Sequence, residues 1–273
     1  MIEKTIRNIS NYGGSKLFDY EAYYRKTSPL YDQIRLDHQS DFENTINIII
    51  GQCGTKTKNI LDIGCGTGRY GKSLADRGFL VVGLDRSSDQ LEQAKKIIQT
   101  VQGDATSLPF ANNSFDVCTM ILMLHHLSNE ERLKAFSEVD RVLRDGGVLV
   151  IKTCSTEDLS HRLTSIFFPE LFELDSKRYP EIATIVYELS EYFSVSLVSS
   201  KIFISTDKEE TIHKFSMRKS SNLGTLSDEQ LSNGIAKMSA FYACSKTIDR
   251  YSYNTFVIGR KTNERQHNSC NSR

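Results

Sequence analysis

Three glycines at alternate positions, Gly64, Gly66 and Gly68, lie in the segment ILDIGCGTGRYG (60–71), where an apolar strand reaches a turn and a helix opens. Only a backbone without Cβ lets a ligand come so close to a tight strand-to-helix turn. Asp85 closes the next strand, 17 positions beyond Gly68, where its carboxylate can accept hydrogen bonds from both hydroxyls of a ribose. Asp104, in GDATSLPF (103–110), follows a third strand and comes within reach of an adenine amino group at the same sheet edge. Asp62 places an acid inside the turn, where it can face a cation but would repel a pyrophosphate. These groups describe a cradle for a nucleoside with a zwitterionic tail. A nicotinamide-binding turn is the competing reading, and it fits less well because the spacing is G-x-G-x-G with acids at Asp62 and Asp104. Singly, Asp85 reads as a helix cap and Asp104 as a turn former; their joint placement is what points to a site.

The elements that must hold these groups are strands alternating with helices from Asn59 to Thr153, at intervals suited to β-α-β crossovers and a parallel sheet. The strands are NILDIG (59–64), FLVVGLD (79–85), a short one at 100–103, FDVCTMIL (115–122) and VLVIKT (148–153). Their near-continuous apolar runs suit strands covered on both faces. Ser87-x-x-Gln90 and Ser128-x-x-Glu131 have capping-box spacing, and Gly78 and Gly146 stand where helices should stop. Leu133, Phe136, Val139 and Leu143 form a stripe expected to lie on the sheet. Beyond Thr153, helices are expected near 157–173 and 180–193, strands at 194–205 and 253–261, and a mostly helical insert between them around 207–248. The expected fold class is α/β: a Rossmann-like, doubly wound, mostly parallel sheet closed by an antiparallel terminal strand, with helical N-terminal and C-terminal lid insertions. The expected organisation is a helical lid segment at 1–56, a core at 57–153, completion of the sheet with helical caps at 154–261, and a flexible tail at 262–273.

Hydrophobic residues make up 39% and charged residues 25% of the 273, an ordinary globular composition that excludes a fibrous or disordered chain. The 34 basic residues balance the 34 acidic ones, so no global field favours polyanions. Cys53, Cys65, Cys118, Cys154, Cys244 and Cys270 contain no C-x-x-C pair, so neither a metal site nor a disulfide framework is indicated. No apolar run has the length of a signal peptide or a membrane span, and a soluble cytoplasmic protein is expected.

The segments ILDIGCGTG, VVGLD, GDATSLPF, SFDVCTMILMLHHL and RVLRDGGVLVIK resemble, in order and spacing, successive motifs of class I S-adenosylmethionine-dependent methyltransferases, of the type 11 small-molecule group. The likeness is close over 59–153 and looser at the terminal strands. It implies that S-adenosylmethionine is the cofactor. Asp62 with Gly64, Cys65, Gly66 and Gly68 would hold the methionine part, Cys65 acting as a small spacer. Asp85 would hold the ribose, with Arg86 beside it in the cofactor set. Asp104 and the Ala105 backbone would hold the adenine, and Ile121 and Leu122 would add backbone contacts. Tyr31, in SPLYDQI, resembles the family's N-terminal tyrosine that closes over the cofactor. His125 and His126 follow the fourth strand, where the family often carries a histidine near the acceptor; either acts as a general base or packs locally.

The implied reaction is methyl transfer to an oxygen or nitrogen of a small-molecule acceptor. Phe167, Phe168, Phe172 and Tyr179 either enclose that acceptor or form the plain core of a lid. GRYG, LDRS and HHLSNEERL also resemble methyltransferases of transfer RNA wobble uridines, a likeness that ends near 153 and lacks an added basic domain. A catalytically silent cofactor-binding scaffold is the third reading.

Overall fold

The computed structural model describes residues 38–218 and 222–262. Helix α1 (Gln39–Gly51) leads into the alternating core: β1 (Asn59–Ile63), α2 (Arg69–Ala75), β2 (Leu80–Asp85), α3 (Ser88–Ala94), β3 (Gln99–Gln102), β4 (Phe115–Ile121), α4 (Asn129–Val142) and β5 (Leu143–Thr153). The cap begins with α5 (Thr156–Ser160), α6 (Leu163–Phe167), α7 (Pro169–Arg178) and α8 (Ile182–Leu189). Strand β6 (Phe193–Asp207), helices α9 (Lys208–Ser216) and α10 (Asp228–Phe241), and strand β7 (Thr247–Lys261) complete it. The seven strands form one sheet in the order β3-β2-β1-β4-β5-β7-β6. The first five pair in parallel, and β7 pairs antiparallel with both β5 and β6.

Alternation along each strand sends side chains to two faces, and both are covered. Leu61, Ile63, Leu149, Ile151 and Val257 pack with Phe136 and Val139 of α4 and with Ile185 and Leu189 of α8. Ile60, Val117, Val148, Val150 and Ile258 pack with Ile46 and Ile49 of α1 and with Tyr70 and Leu74 of α2. This double cover is why the strands read as unbroken apolar runs. A separate core of Phe167, Phe168, Leu171, Phe215, Leu231 and Met238 holds α6, α7, α9 and α10 together as the cap.

Several expectations are corrected. Leu133 is 43% exposed, whereas Arg132 is only 3% exposed and joins Ala135, Phe136, Val139 and Val142 on the buried face of α4. Arg132 is tolerated there because Glu188 of α8 accepts from its Nε and Nη2 at 2.8 and 2.7 Å. Gly146 does not stop α4: the helix ends at Val142, Leu143 is already extended, and Gly146 lies inside β5 near the register shift opposite Phe115 and Val117. The stretch near 157–173 is three helices, one of its breaks at Phe168, whose backbone the following Pro169 drives out of the helical region. Strands β6 and β7 run longer than expected, each spanning 15 residues.

Candidate active site

A cavity of about 340 Å³ opens at the carboxyl ends of β1, β2 and β4, the edge where doubly wound sheets bind ligands. It is lined by Gly64, Cys65, Gly66, Asp85, Arg86, Asp104, Ala105, Ile121, Leu122 and His126, ten of the positions singled out from sequence. Asp62, Gly68 and His125 are not among its lining residues. Tyr31 lies outside the described residues.

The glycine turn is tied to the end of β2. Gly64 and Cys65 both donate their backbone N–H to the Leu84 carbonyl, at 2.7 and 3.0 Å. Gly68 has φ +82°, a left-handed value that side chains resist, and a Cβ there would stand 3.0 Å from that of Ala94. Its role is thus to let α2 and α3 close on one another behind the turn. Asp85 accepts from the Gly66 N–H through Oδ2 and from the Ser87 N–H through Oδ1, both at 2.9 Å. Burial raises its pKa while those two bonds act to lower it.

Gln90, which the Ser87-x-x-Gln90 spacing marks as part of a capping box, has a different place. Ser87 does accept from the Gln90 N–H, but its own N–H is committed to Asp85, so the reciprocal half of a capping box is not made. Gln90 is buried on the cavity wall, and its Oε1 has no hydrogen-bond partner. Asp62 has the same property. Thr119 donates to its Oδ1 at 2.7 Å, Oδ2 is buried without a partner, and burial, opposed by the Thr119 bond and aided by Asp85, pushes its pKa up to about 6. Asp62 sits behind the turn because its position on β1 points to the α2 face, alongside Thr119 of β4.

On the opposite wall Asp104 accepts from both the N–H and the hydroxyl of Thr106 through Oδ1, which lowers its pKa. Leu122 has φ +53°, a strained value for a branched side chain, and its N–H is held by the Lys152 carbonyl at 2.9 Å. His126 reaches the cavity, whereas His125 stacks on Tyr179 of the cap at 4.3 Å and meets the His126 ring at a tilt, 4.2 Å away. Burial holds the His125 imidazole well below its usual range, reinforced by His126, Arg178 and Arg162. His126 is exposed, yet partial desolvation, with Arg178 and Arg86, brings its pKa down to about 4. Phe167 and Phe168 belong to the cap's own core, Phe168 stacked on Phe215 at 5.7 Å.

Fold and cavity together define a Rossmann-like ligand-binding sheet of the methyltransferase type. Residues 61–151 match the family described as a methyltransferase domain. That match covers a third of the chain, and over those residues the chain is similar to S-adenosylmethionine-dependent methyltransferases of class I. Over 97 residues, 34% of this chain and 40% of the relative, it is 41% identical to a demethylmenaquinone methyltransferase of Renibacterium salmoninarum. Over 100 residues, 36% of this chain and 16% of the relative, it is 33% identical to the tRNA (carboxymethyluridine(34)-5-O)-methyltransferase alkbh8 of Xenopus tropicalis. The chain thus spans less than half the length of either curated relative. A crystal structure of a methyltransferase from an antibiotic biosynthesis pathway of Anabaena variabilis shares the fold with a TM-score of 0.64. That match has 21% identity and covers 83% of this chain and 99% of that one. No described helix is long and apolar enough to cross a membrane.

Proposed function

We propose that the chain binds S-adenosylmethionine in this cavity and transfers its methyl group to an oxygen or nitrogen of a small-molecule acceptor. The observation that carries this reading is the convergence of the glycine turn, Asp85 and the Asp104–Ala105 turn on one cavity at the carboxyl edge of the sheet. The bound cofactor supplies a methyl group already activated on a sulfonium. Asp85 accepts from the two ribose hydroxyls through lone pairs left over from its bonds to Gly66 and Ser87. Asp104 and the Ala105 backbone hold the adenine, while Arg86 lies beside the ribose and Ile121 and Leu122 present backbone groups. Cys65 leaves room at the turn. An ammonium group fits this end of the molecule, because the acceptors Asp62 Oδ2 and Gln90 Oε1 are buried without donors. His126 serves as general base toward an acceptor that carries a proton, and with its pKa near 4 it is neutral at physiological pH.

Calorimetric titration with S-adenosylmethionine, S-adenosylhomocysteine and a nicotinamide dinucleotide tests the cofactor. Selective binding of the first two is expected; binding of none, or preference for the dinucleotide, refutes the reading, and binding without methyl transfer to any acceptor supports the silent scaffold. For the base, His126→Ala should slow turnover by about 10² to 10⁴-fold, and the acidic limb of the wild-type pH profile should fall near 4 rather than 6.5. The likeness to the Xenopus enzyme favours a second reading, transfer RNA as acceptor. Steeply salt-dependent binding of transfer RNA with methyl incorporation would replace the small-molecule reading.

A further inference from the structure

Among the described residues the sheet has two edges, and they are finished differently. At one, β3 has only the four residues Gln99–Gln102, a short strand that makes a poor template for another chain. At the other, β6 has fifteen residues, paired to β7 in unbroken register from Phe193 opposite Lys261 to Asp207 opposite Thr247, and no described strand lies along its outer side. An edge of this length normally carries a proline, a bulge or an outward charge that stops other chains from pairing with it. β6 has no proline and no bulge, and its sole charge between Ser194 and Thr206 is Lys201. That ammonium is turned away from the edge: it lies over the rings of Tyr251 at 4.3 Å and Tyr253 at 5.6 Å, both on β7. Two large apolar side chains on the same face of β6 are left exposed, Leu197 at 52% and Phe203 at 55%.

Leu197 and Phe203 stand symmetrically about Ser200, the midpoint of β6. We infer that β6 of one copy pairs antiparallel with β6 of a second copy about a dyad at Ser200, joining the two sheets into one. In that register Leu197 of each copy faces the partner's Phe203, and Lys201 faces the partner's Ser199, so no like charges stand directly opposite. Each contact extends an apolar row already present. Leu197 lies opposite Val257, and Phe203 lies opposite Tyr251 with the two rings edge to face at 5.6 Å. The row then runs from Val257 through Leu197 to the partner's Phe203 and the partner's Tyr251. Pairing along the whole strand exchanges about 14 backbone hydrogen bonds, against about 10 across a standard interface, so the edge alone supplies the polar contacts of a stable dimer. Both copies use the same edge, and the assembly closes at two. The inference is independent of which ligand the cavity takes.

Sedimentation velocity of the full chain over about 1 to 100 µM should show the mass of two chains, dissociating only on dilution. The double substitution Leu197→Lys with Phe203→Lys sets lysine opposite lysine twice across the dyad and should weaken association by about tenfold or more. Leu197→Glu with Phe203→Glu should do the same with carboxylates. A mixture of the two variants sets lysine opposite glutamate and should restore the two-chain species. Both positions are exposed, so the fold should tolerate the changes, and circular dichroism with the thermal midpoint at the lowest concentration checks this. A one-chain mass at every concentration, or an assembly larger than two, overturns the dimer. Association that survives in both charged variants, or a mixture that stays dissociated, overturns the pairing about Ser200.

Discussion

The glycine-turn edge and the helical cap meet across the histidines, but they are built by opposite means. At the edge, contacts are short in sequence and largely made by backbone: Gly66 and Ser87 amides on Asp85, Gly64 and Cys65 amides on one carbonyl, Thr106 on Asp104. The cap instead has its own apolar core, drawn from α6, α7, α9 and α10, which are separated by the whole of β6. The first arrangement fixes the groups to which the nucleoside is assigned in the proposed function. The second depends on side-chain packing between helices distant in sequence.

That contrast can be broken by substitutions that ought to act on one region alone. Asp85→Ala should have the largest effect, on binding. Losing two hydrogen bonds to a charged group, each worth about 1.5 to 3 kcal/mol, predicts a fall in S-adenosylhomocysteine affinity on the order of 10² to 10⁴-fold by calorimetry. Unchanged affinity in a folded variant would take Asp85 out of the site. Arg132→Met comes next, and it tests the joint between the regions, because Arg132 of α4 and Glu188 of α8 form a buried ion pair. Leaving Glu188 uncompensated should destabilise the fold by about 3 to 5 kcal/mol, a drop in thermal midpoint on the order of 10 °C.

Asp62 sharpens the comparison through pH. Its pKa rises from 3.8 to about 6, mainly through burial, so the folded chain holds this proton where the unfolded chain has lost it. The stability it contributes is present below pH 3.8 and is lost as pH rises through about 6. In the absence of ligand, Asp62→Asn should therefore gain on the wild type as pH rises from about 3 to 7, by on the order of 3 kcal/mol in all, while losing cofactor affinity. A thermal midpoint difference that stays flat with pH would show that Asp62 does not titrate in this way. The smallest effect belongs to the cap. A Cβ on Gly234 of α10 would stand 2.1 Å from the Phe168 ring, and overpacking of this kind typically costs about 1 to 3 kcal/mol. Gly234→Ala should impair acceptor turnover and leave S-adenosylhomocysteine binding nearly unchanged; equal loss of both would show that the regions are not separable.

The same division decided what could be read from the sequence. The five parallel strands were legible because both-face burial writes a local apolar run, and Asp85 and the glycine turn because their partners lie within about one β-α-β unit. Ser128 and Glu131 were legible as a capping box, which forms in full. The buried face of α4 was misjudged because the partner that makes Arg132 acceptable there, Glu188, is 56 residues away. The Ser87-x-x-Gln90 spacing allows a full capping box, but the competing Asp85 bond is made across a turn and leaves no sequence signature. The cap's core has no periodic signature, since short helices broken at Phe168 and Pro169 share one apolar cluster. His125 and His126 were found together, yet only the fold separates the one that lines the cavity from the one stacked behind it.

The strand order carries a consequence for how the chain is made. β7 is the last strand in sequence but sits between β5 and β6, so the outer edge of β5 stays open, and β6 has no neighbour, until the C-terminal stretch arrives. From Thr153 to Lys261 is 108 residues, roughly 5 to 20 s of synthesis at about 5 to 20 residues per second. Throughout that interval the nascent parallel sheet presents an unpaired apolar edge to the crowded surroundings of the ribosome. A chaperone that shields that edge, or slow emergence of residues 247–261, would govern the yield of native protein more than the intrinsic stability of the finished sheet.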